Sequence, residues 1–219
     1  MRCWIRYALY LFVFIHFSTS QAGSYEDYFS AIDRDNAIQV SALLQRGFDP
    51  NTVNPKGQHG LLIALRESSF KVVDVLLAHS GTNVEVRTPQ DESPLMLAAL
   101  KGLTDLCEQL IARDADVNKT GWTPLHYAAT GGHNGIIRLL LDHHAYIDAA
   151  SPNGSTPLMM AAMYGSPSSV KLLLEAGADV TLKNSLGLTA LDFALKANRS
   201  ESAAILAAFI RGRNAKGTW

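Results

Sequence analysis

A chain of 219 residues with 47% hydrophobic and 18% charged side chains can fold around a real core, and that balance excludes a natively disordered polymer. Nineteen Lys and Arg face 20 Asp and Glu, a net charge of −1, so nothing in the charge balance drives the protein toward nucleic acid or an anionic membrane. The length suits one sizeable domain or a short repeat array.

The first segment in chain order is read as a secretory signal peptide over residues 1–22. Arg2 and Arg6 make a positive start, and Tyr7 to Phe17 is an apolar run of 17 − 7 + 1 = 11 residues. Ser20 and Ala22 then stand as small residues at the −3 and −1 positions of a cleavage site. The alternative is an uncleaved N-terminal anchor, but a spanning helix needs about 20 residues. The expected location is the periplasm or the exterior, with cleavage near Ala22. Cleavage would remove Arg2, Arg6 and Cys3, moving the charge to 17 − 20 = −3. Cys107 would then be the one thiol left, and no internal disulfide could form.

Beyond residue 22 the sequence repeats itself. Thr123-Pro124-Leu125-His126-Tyr127-Ala128-Ala129 recurs as Thr156-Pro157-Leu158-Met159-Met160-Ala161-Ala162 and as Ser93-Pro94-Leu95-Met96-Leu97-Ala98-Ala99. Weaker copies start at Thr189-Ala190-Leu191-Asp192 and His59-Gly60-Leu61-Leu62. The proline position falls at 60, 94, 124, 157 and 190, which gives spacings of 34, 30, 33 and 33. Each copy is followed by an apolar helical segment such as Ile136-Ile137-Arg138-Leu139-Leu140-Leu141, and then by a turn such as Gly177-Ala178-Asp179-Val180.

Local chemistry explains the pattern. Thr123 reads as a helix cap whose hydroxyl accepts from the amide of His126, and Pro124 fits the first helical position because it has no amide to leave unpaired. Ala128 and Ala129 allow a close neighbour, and Gly131-Gly132 ends the helix. The second helix is apolar on more than one side, so a single pair cannot bury it and stacking must. The 30-residue spacing removes three residues just before Trp122, so the projecting loop, or finger, is expected to be short there.

These phased copies closely resemble the ankyrin repeat. The resemblance implies an all-α solenoid of about six stacked helix-turn-helix units with hairpin-like loops. It places an ankyrin-repeat domain over residues 23–212, with caps at 25–53 and 186–212 and repeats at 54–86, 87–119, 120–152 and 153–185. A flexible tail covers 213–219.

The polar residues that could carry chemistry have structural readings. His126 sits where the resemblance implies a hydrogen bond near Thr123, His133 lies at the junction between helices, and His143-His144 lies at a helix exit. No spacing builds a tetrahedral metal site, so no metal and no cofactor are expected. Ser68 to Lys71 and Ser168 to Lys171 match S-x-x-K, but both fall at the first turn of a second helix, where serine is a natural cap. They are read as chance, on the expectation that no companion motif of a penicillin-recognising enzyme goes with them. Cys107, among Leu103, Leu106, Leu110 and Ile111, reads as an inert core thiol. Asn118-Lys119-Thr120, Asn153-Gly154-Ser155 and Asn198-Arg199-Ser200 are glycosylation acceptors only in a eukaryotic host.

No catalytic residue is expected. The resemblance implies a monomeric scaffold that binds another protein, and not nucleic acid, through the fingers and the exposed side of the first helices. Placed on this chain, the outward positions are Gln58, Arg66, Glu67, Glu92, Lys101, Trp122, Thr130, Asn153, Met163, Tyr164 and Lys196. Trp122, Met163 and Tyr164 stand out because such side chains are enriched at interface centres. The competing reading of Trp122 is that it only covers the edge of the core. The resemblance extends to small signal-bearing bacterial ankyrin proteins, some of them protective or immunity-type partners. A secreted effector that binds host proteins, or an enzyme with an unrecognised site, are the alternatives.

Overall fold

The computed structural model describes residues 23–216, so the expected signal peptide and residues 217–219 lie outside the described residues. Every regular element among the described residues is a helix, apart from one isolated bridge between Val53 and His59. No helix among them is long and apolar enough to cross a membrane. The chain divides into two compact units, Met1–Val86 and Arg87–Trp219.

The described part of the first unit has two helix pairs. They are α1 (23–33) with α2 (Ala37–Gln45), and α3 (Gly60–Glu67) with α4 (Phe70–Ala78). Tyr28, Ile32, Val40, Leu43, Leu61, Leu65 and Leu76 are fully or almost fully buried and form its core. The weak first copy of the repeat has a physical reason. Tyr28 donates from its buried hydroxyl to the Pro50 carbonyl (2.9 Å), and its ring lies against Gly60. A Cβ at position 60 would stand 2.3 Å from the Tyr28 oxygen, so the proline of the other copies cannot fit there.

The second unit stacks four pairs: α5 (Pro94–Lys101) with α6 (Thr104–Ala112), α7 (Pro124–Gly131) with α8 (Asn134–Asp142), α9 (Pro157–Met163) with α10 (Pro167–Glu175), and α11 (Ala190–Lys196) with α12 (Ser200–Lys216). The first helices contact one another in the order α5, α7, α9, α11, and the second helices in the order α6, α8, α10, α12. Alanines at the first-helix contacts permit this closeness, with Ala98, Ala99, Ala128, Ala129, Ala161 and Ala162 all fully buried. Helix α12 runs to Lys216, four residues past Gly212 where the sequence pattern ends the domain.

The helix starts share one device. The backbone N–H of Ser93, Thr123, Thr156 and Thr189 donates to the side chain three residues on, which is Met96 Sδ, His126 Nδ1, Met159 Sδ or Asp192 Oδ2. In return the Ser93, Thr156 and Thr189 hydroxyls accept the N3 amide, at 3.2, 3.4 and 3.3 Å. Thr123 keeps the same box with His126, but its geometry is looser: the His126 amide donates to the Thr123 carbonyl (3.0 Å), and the Thr123 hydroxyl also lies 2.9 Å from the His126 ring.

Second helices depart from the sequence expectation. Ser68, expected to cap the second helix, instead ends α3 with a left-handed backbone; Ser69 stands at the start of α4 without a side-chain cap bond, and the Val72 amide donates to Asp35 of the preceding pair (3.0 Å). Helix α10 is capped by Ser166 and not by Ser168. In α8 the buried leucine is Leu140, while Leu139 is only half-buried.

Candidate protein-binding site at a shortened finger

The fingers are held to their neighbours by a side-chain ladder. Asn51 accepts the Asn83 amide, Asn118 accepts the Tyr146 amide and Asp148 accepts the Asp179 amide, each at 2.8–3.0 Å. Asn118 also donates to the His144 carbonyl (2.8 Å), so this residue is a strut between fingers. Asn153 likewise serves its own tip, taking the Ser151 hydroxyl and the Ser155 amide on Oδ1 at 2.6 and 3.1 Å.

The missing three residues leave open space. A cleft of about 370 Å³ is lined by Gln90 and Asp91 of one finger, by Lys119, Thr120, Gly121 and Trp122 of the short one, and by Ala150 and Pro152 of the next. Trp122 forms part of its wall and is half-buried. Its indole meets the His126 ring edge-on, with centroids 5.2 Å apart. Trp122 therefore both packs on a core histidine and faces the notch.

His126 anchors that packing. The ring is fully buried, and Nε2 lies 2.9 Å from the Ser155 carbonyl, which can only accept, so Nε2 carries the proton. Nδ1 then accepts the Thr123 amide at 3.2 Å. Burial pushes the imidazole down to about 4, outweighing the opposite pull of its backbone carbonyl partners.

The remaining candidates differ in what they offer. Glu92 is half-buried and accepts from Tyr127 (3.1 Å) and Thr88 (3.3 Å), while Gln58 accepts from Asn54 at 2.9 Å. Thr130 turns its hydroxyl onto the His126 carbonyl (2.8 Å). These three serve internal hydrogen bonds. Arg66 and Glu67 lie exposed at the end of α3 in the first unit. In the second unit Lys101, Asn153, Tyr164 and Lys196 are exposed and Met163 is half-buried. Tyr164 is 53% exposed at the end of α9 but does not line the notch. Arg199 fixes the backbone there by donating to the Met163 and Tyr164 carbonyls at 3.2 and 3.3 Å.

Lys119, Asp91 and Pro152 escaped the sequence reading, although the 30-residue spacing points at the first of them. So did a triplet. Lys119-Thr120-Gly121 is a K-T-G motif, which corrects the expectation that no companion of S-x-x-K is present. The geometry supplies no serine–lysine pair for it. Ser168 Oγ accepts from Asn134 (2.9 Å) while Lys171 pairs with Glu175 (3.7 Å), and Lys119 is engaged with Asp91 and backbone carbonyls. Cys107 is fully buried, and burial pushes its thiol up to about 12, so it is a core residue. Among the described residues no cluster of His, Cys, Asp and Glu could hold a metal ion.

A stack of helix pairs joined by laddered fingers is the architecture of a repeat scaffold. A family model of ankyrin repeats (3 copies) matches residues 29–120, 61–152, 95–184 and 148–215. The chain belongs to the ankyrin-repeat family. Among curated relatives, ankyrin repeat and SAM domain-containing protein 6 of Rattus norvegicus is 36% identical over 109 residues, 48% of this chain and 12% of that protein. Neurogenic locus notch homolog protein 4 of Homo sapiens is 39% identical over 74 residues, 34% of this chain and 4% of that protein. The chain thus matches only a small part of these relatives' length. A solved complex of a predatory endopeptidase from Bdellovibrio bacteriovorus with an immunity protein contains a similar chain. The TM-score is 0.72 at 28% identity, covering 83% of this chain and 97% of that one. As an ankyrin-repeat protein, the chain is a scaffold of the kind that binds other proteins.

Proposed function

We propose that this protein is a non-enzymatic binding module that works outside the cytoplasm as an immunity-type partner, holding a peptidase through the notch beside Trp122. The observation that carries the reading is the notch itself. Three residues are missing from one finger, its two neighbours keep full length, and an aromatic ring faces the gap. A concave site walled by an indole and a proline suits an inserted loop of a partner better than a flat face does. The likeness to a chain of an endopeptidase–immunity protein complex supports the choice of partner. Export rests on the positive start, the 11-residue apolar run and the small residues before Gly23. N-terminal sequencing of protein from a periplasmic or culture fraction should therefore begin close to Gly23, and retention of Met1 on membrane-extracted protein would replace export by anchoring.

Site-specific photo-crosslinking tests the binding role. A benzoylphenylalanine at position 122 should give a covalent adduct in an extract of the source cells, and the same group at exposed Lys171 on α10 should not. Mass spectrometry should identify a peptidase in the adduct. A partner that is not a peptidase would remove the immunity reading, and equal adducts from positions 122 and 171 would remove the notch as the site.

A further inference from the structure

Four finger tips close by one rule. Asn54 accepts the amides of Lys56 and Gln58 on Oδ1, both at 2.9 Å, and Thr88 accepts those of Gln90 and Glu92 on Oγ1 at 3.2 and 3.1 Å. Asn184 accepts those of Leu186 and Leu188, both at 3.0 Å, and Ser151 accepts that of Ser155 at 3.0 Å. Each tip is sealed by a backbone bond from the first residue's amide to the fifth residue's carbonyl, at 2.9–3.0 Å. The closing residue lies three positions after the ladder residue in two of these fingers, Asn51 to Asn54 and Asp148 to Ser151, and Glu85 and Thr181 hold the corresponding places before Thr88 and Asn184.

Three positions after Asn118 the chain has Gly121, which has no side chain, and α7 begins at Pro124, too early for the loop to return. The seal of the other tips is absent from the described hydrogen bonds of this finger. Lys119 occupies its place. The ammonium donates to the Thr120 carbonyl (3.0 Å) and the Trp122 carbonyl (3.2 Å), and it pairs with the Asp91 carboxylate on the neighbouring finger. Its three donors thus meet three acceptors, with the side chain only 12% exposed. Asp91 is held in turn by Arg87 (3.7 Å), which also reaches Asp116 (3.8 Å).

We propose that Lys119 is the positioning residue of the notch: it stands in for the lost turn, fixes the backbone that carries Trp122, and sets the spacing between the short finger and the Asp91 finger. The binding consequence rests on the proposed function, while the positioning role does not. Lys119 itself is sheltered, while Asp91 is 63% exposed and keeps Arg87, so deleting the ammonium chiefly strands the Thr120 and Trp122 carbonyls. The notch is therefore shaped before any partner arrives, which lowers the ordering cost of binding.

The test compares full-length wild type, K119M, K119R and D91N by acrylamide quenching. Each is paired with its own W122F version, so that Trp4 and Trp219 cancel from the difference. K119M should raise the Trp122 quenching constant about twofold, D91N by less, and K119R should restore at least half of the loss through its own fork of donors. Wild-type quenching in K119M would overturn the proposal. If K119M does not fold, unchanged quenching in folded D91N would overturn it equally. The crosslink from position 122 is then scored in the K119M background. Undiminished crosslinking beside altered quenching would remove the notch as the binding site and leave the positioning role standing.

Discussion

Acid should loosen this protein through His126, and the size of the effect follows from one buried ring. The imidazole is neutral in the fold because Nε2–H meets the Ser155 carbonyl and Nδ1 accepts from Thr123, and burial pushes its pKa from 6.5 down to about 4. A histidine with a depressed folded-state pKa binds more protons when unfolded, so stability is retained above 6.5 and falls as the pH drops from 6.5 through 4. A tenfold difference in proton affinity between the two states corresponds to about 1.4 kcal/mol, so the full loss below pH 4 is about 3 kcal/mol, of which about 2 kcal/mol is gone between pH 7 and pH 5. Urea unfolding followed by circular dichroism at pH 7 and pH 5, for wild type and His126→Gln, isolates that share. The other titrating groups are common to both proteins and cancel in the double difference. Wild type should lose about 2 kcal/mol more than the variant over this interval. Equal losses would mean that His126 is not held neutral, and the account of the Thr123–His126–Ser155 bridge would fail with it.

Other outcomes follow from the same packing. Leu140→Ala and Leu173→Ala remove fully buried leucines and should each cost about 2–5 kcal/mol, while half-buried Leu139→Ala should cost clearly less; equal urea midpoint shifts for Leu139 and Leu140 would put α8 in the wrong rotation. Gly165→Ala would set a Cβ 2.3 Å from the Ala129 carbonyl oxygen and should cost about 1–3 kcal/mol by prising α9 from α7, which a thermal melt at wild-type temperature would contradict. Trp122→Ala with Tyr164→Ala should weaken the partner by about 2–4 kcal/mol, most of it from Trp122 because Tyr164 lies off the notch. A titration in which Tyr164→Ala alone accounts for the loss would move the site to the α9 exit.

The repeat was legible because stacking imposes it on the sequence. A proline at the first helical position, small residues at the helix contact and an apolar second helix must recur wherever one pair covers the next, so the phase of four copies located α5, α7, α9 and α11 directly. Rotation within a helix was less legible. Leu139, Leu140 and Leu141 are consecutive, each turned by about 100° from the last, and only the neighbouring pair decides which one points at it. Cap partners were harder still. Ser68 reads as a cap of the second helix, yet it ends α3 and Asp35 from the preceding pair reaches Val72, whereas the Thr123–His126 hydrogen bond lies where the resemblance implied one. Lys119 was invisible because its partners are two backbone carbonyls and a carboxylate 28 positions earlier (119 − 91), a contact that exists only once the fingers stand side by side.

Two breaks in the repeat show how such departures divide. At position 60 the proline is lost, and the gap is refilled from within: the Tyr28 ring takes the space and its hydroxyl finds the Pro50 carbonyl. That break has a structural cause and leaves nothing for a partner. At positions 118–124 three residues are lost and, among the described residues, no side chain enters the space; Lys119 satisfies the stranded carbonyls and leaves the cleft open beside Trp122. Sealing carbonyls while keeping a void open lets an indole face solvent space when it could have been covered, and that exposure gives up hydrophobic burial. A partner that fills the notch would recover this burial, whereas one docking on the repeated positions alone would find surface that every other repeat also offers. Specific recognition by this chain should therefore concentrate where its periodicity fails without being refilled.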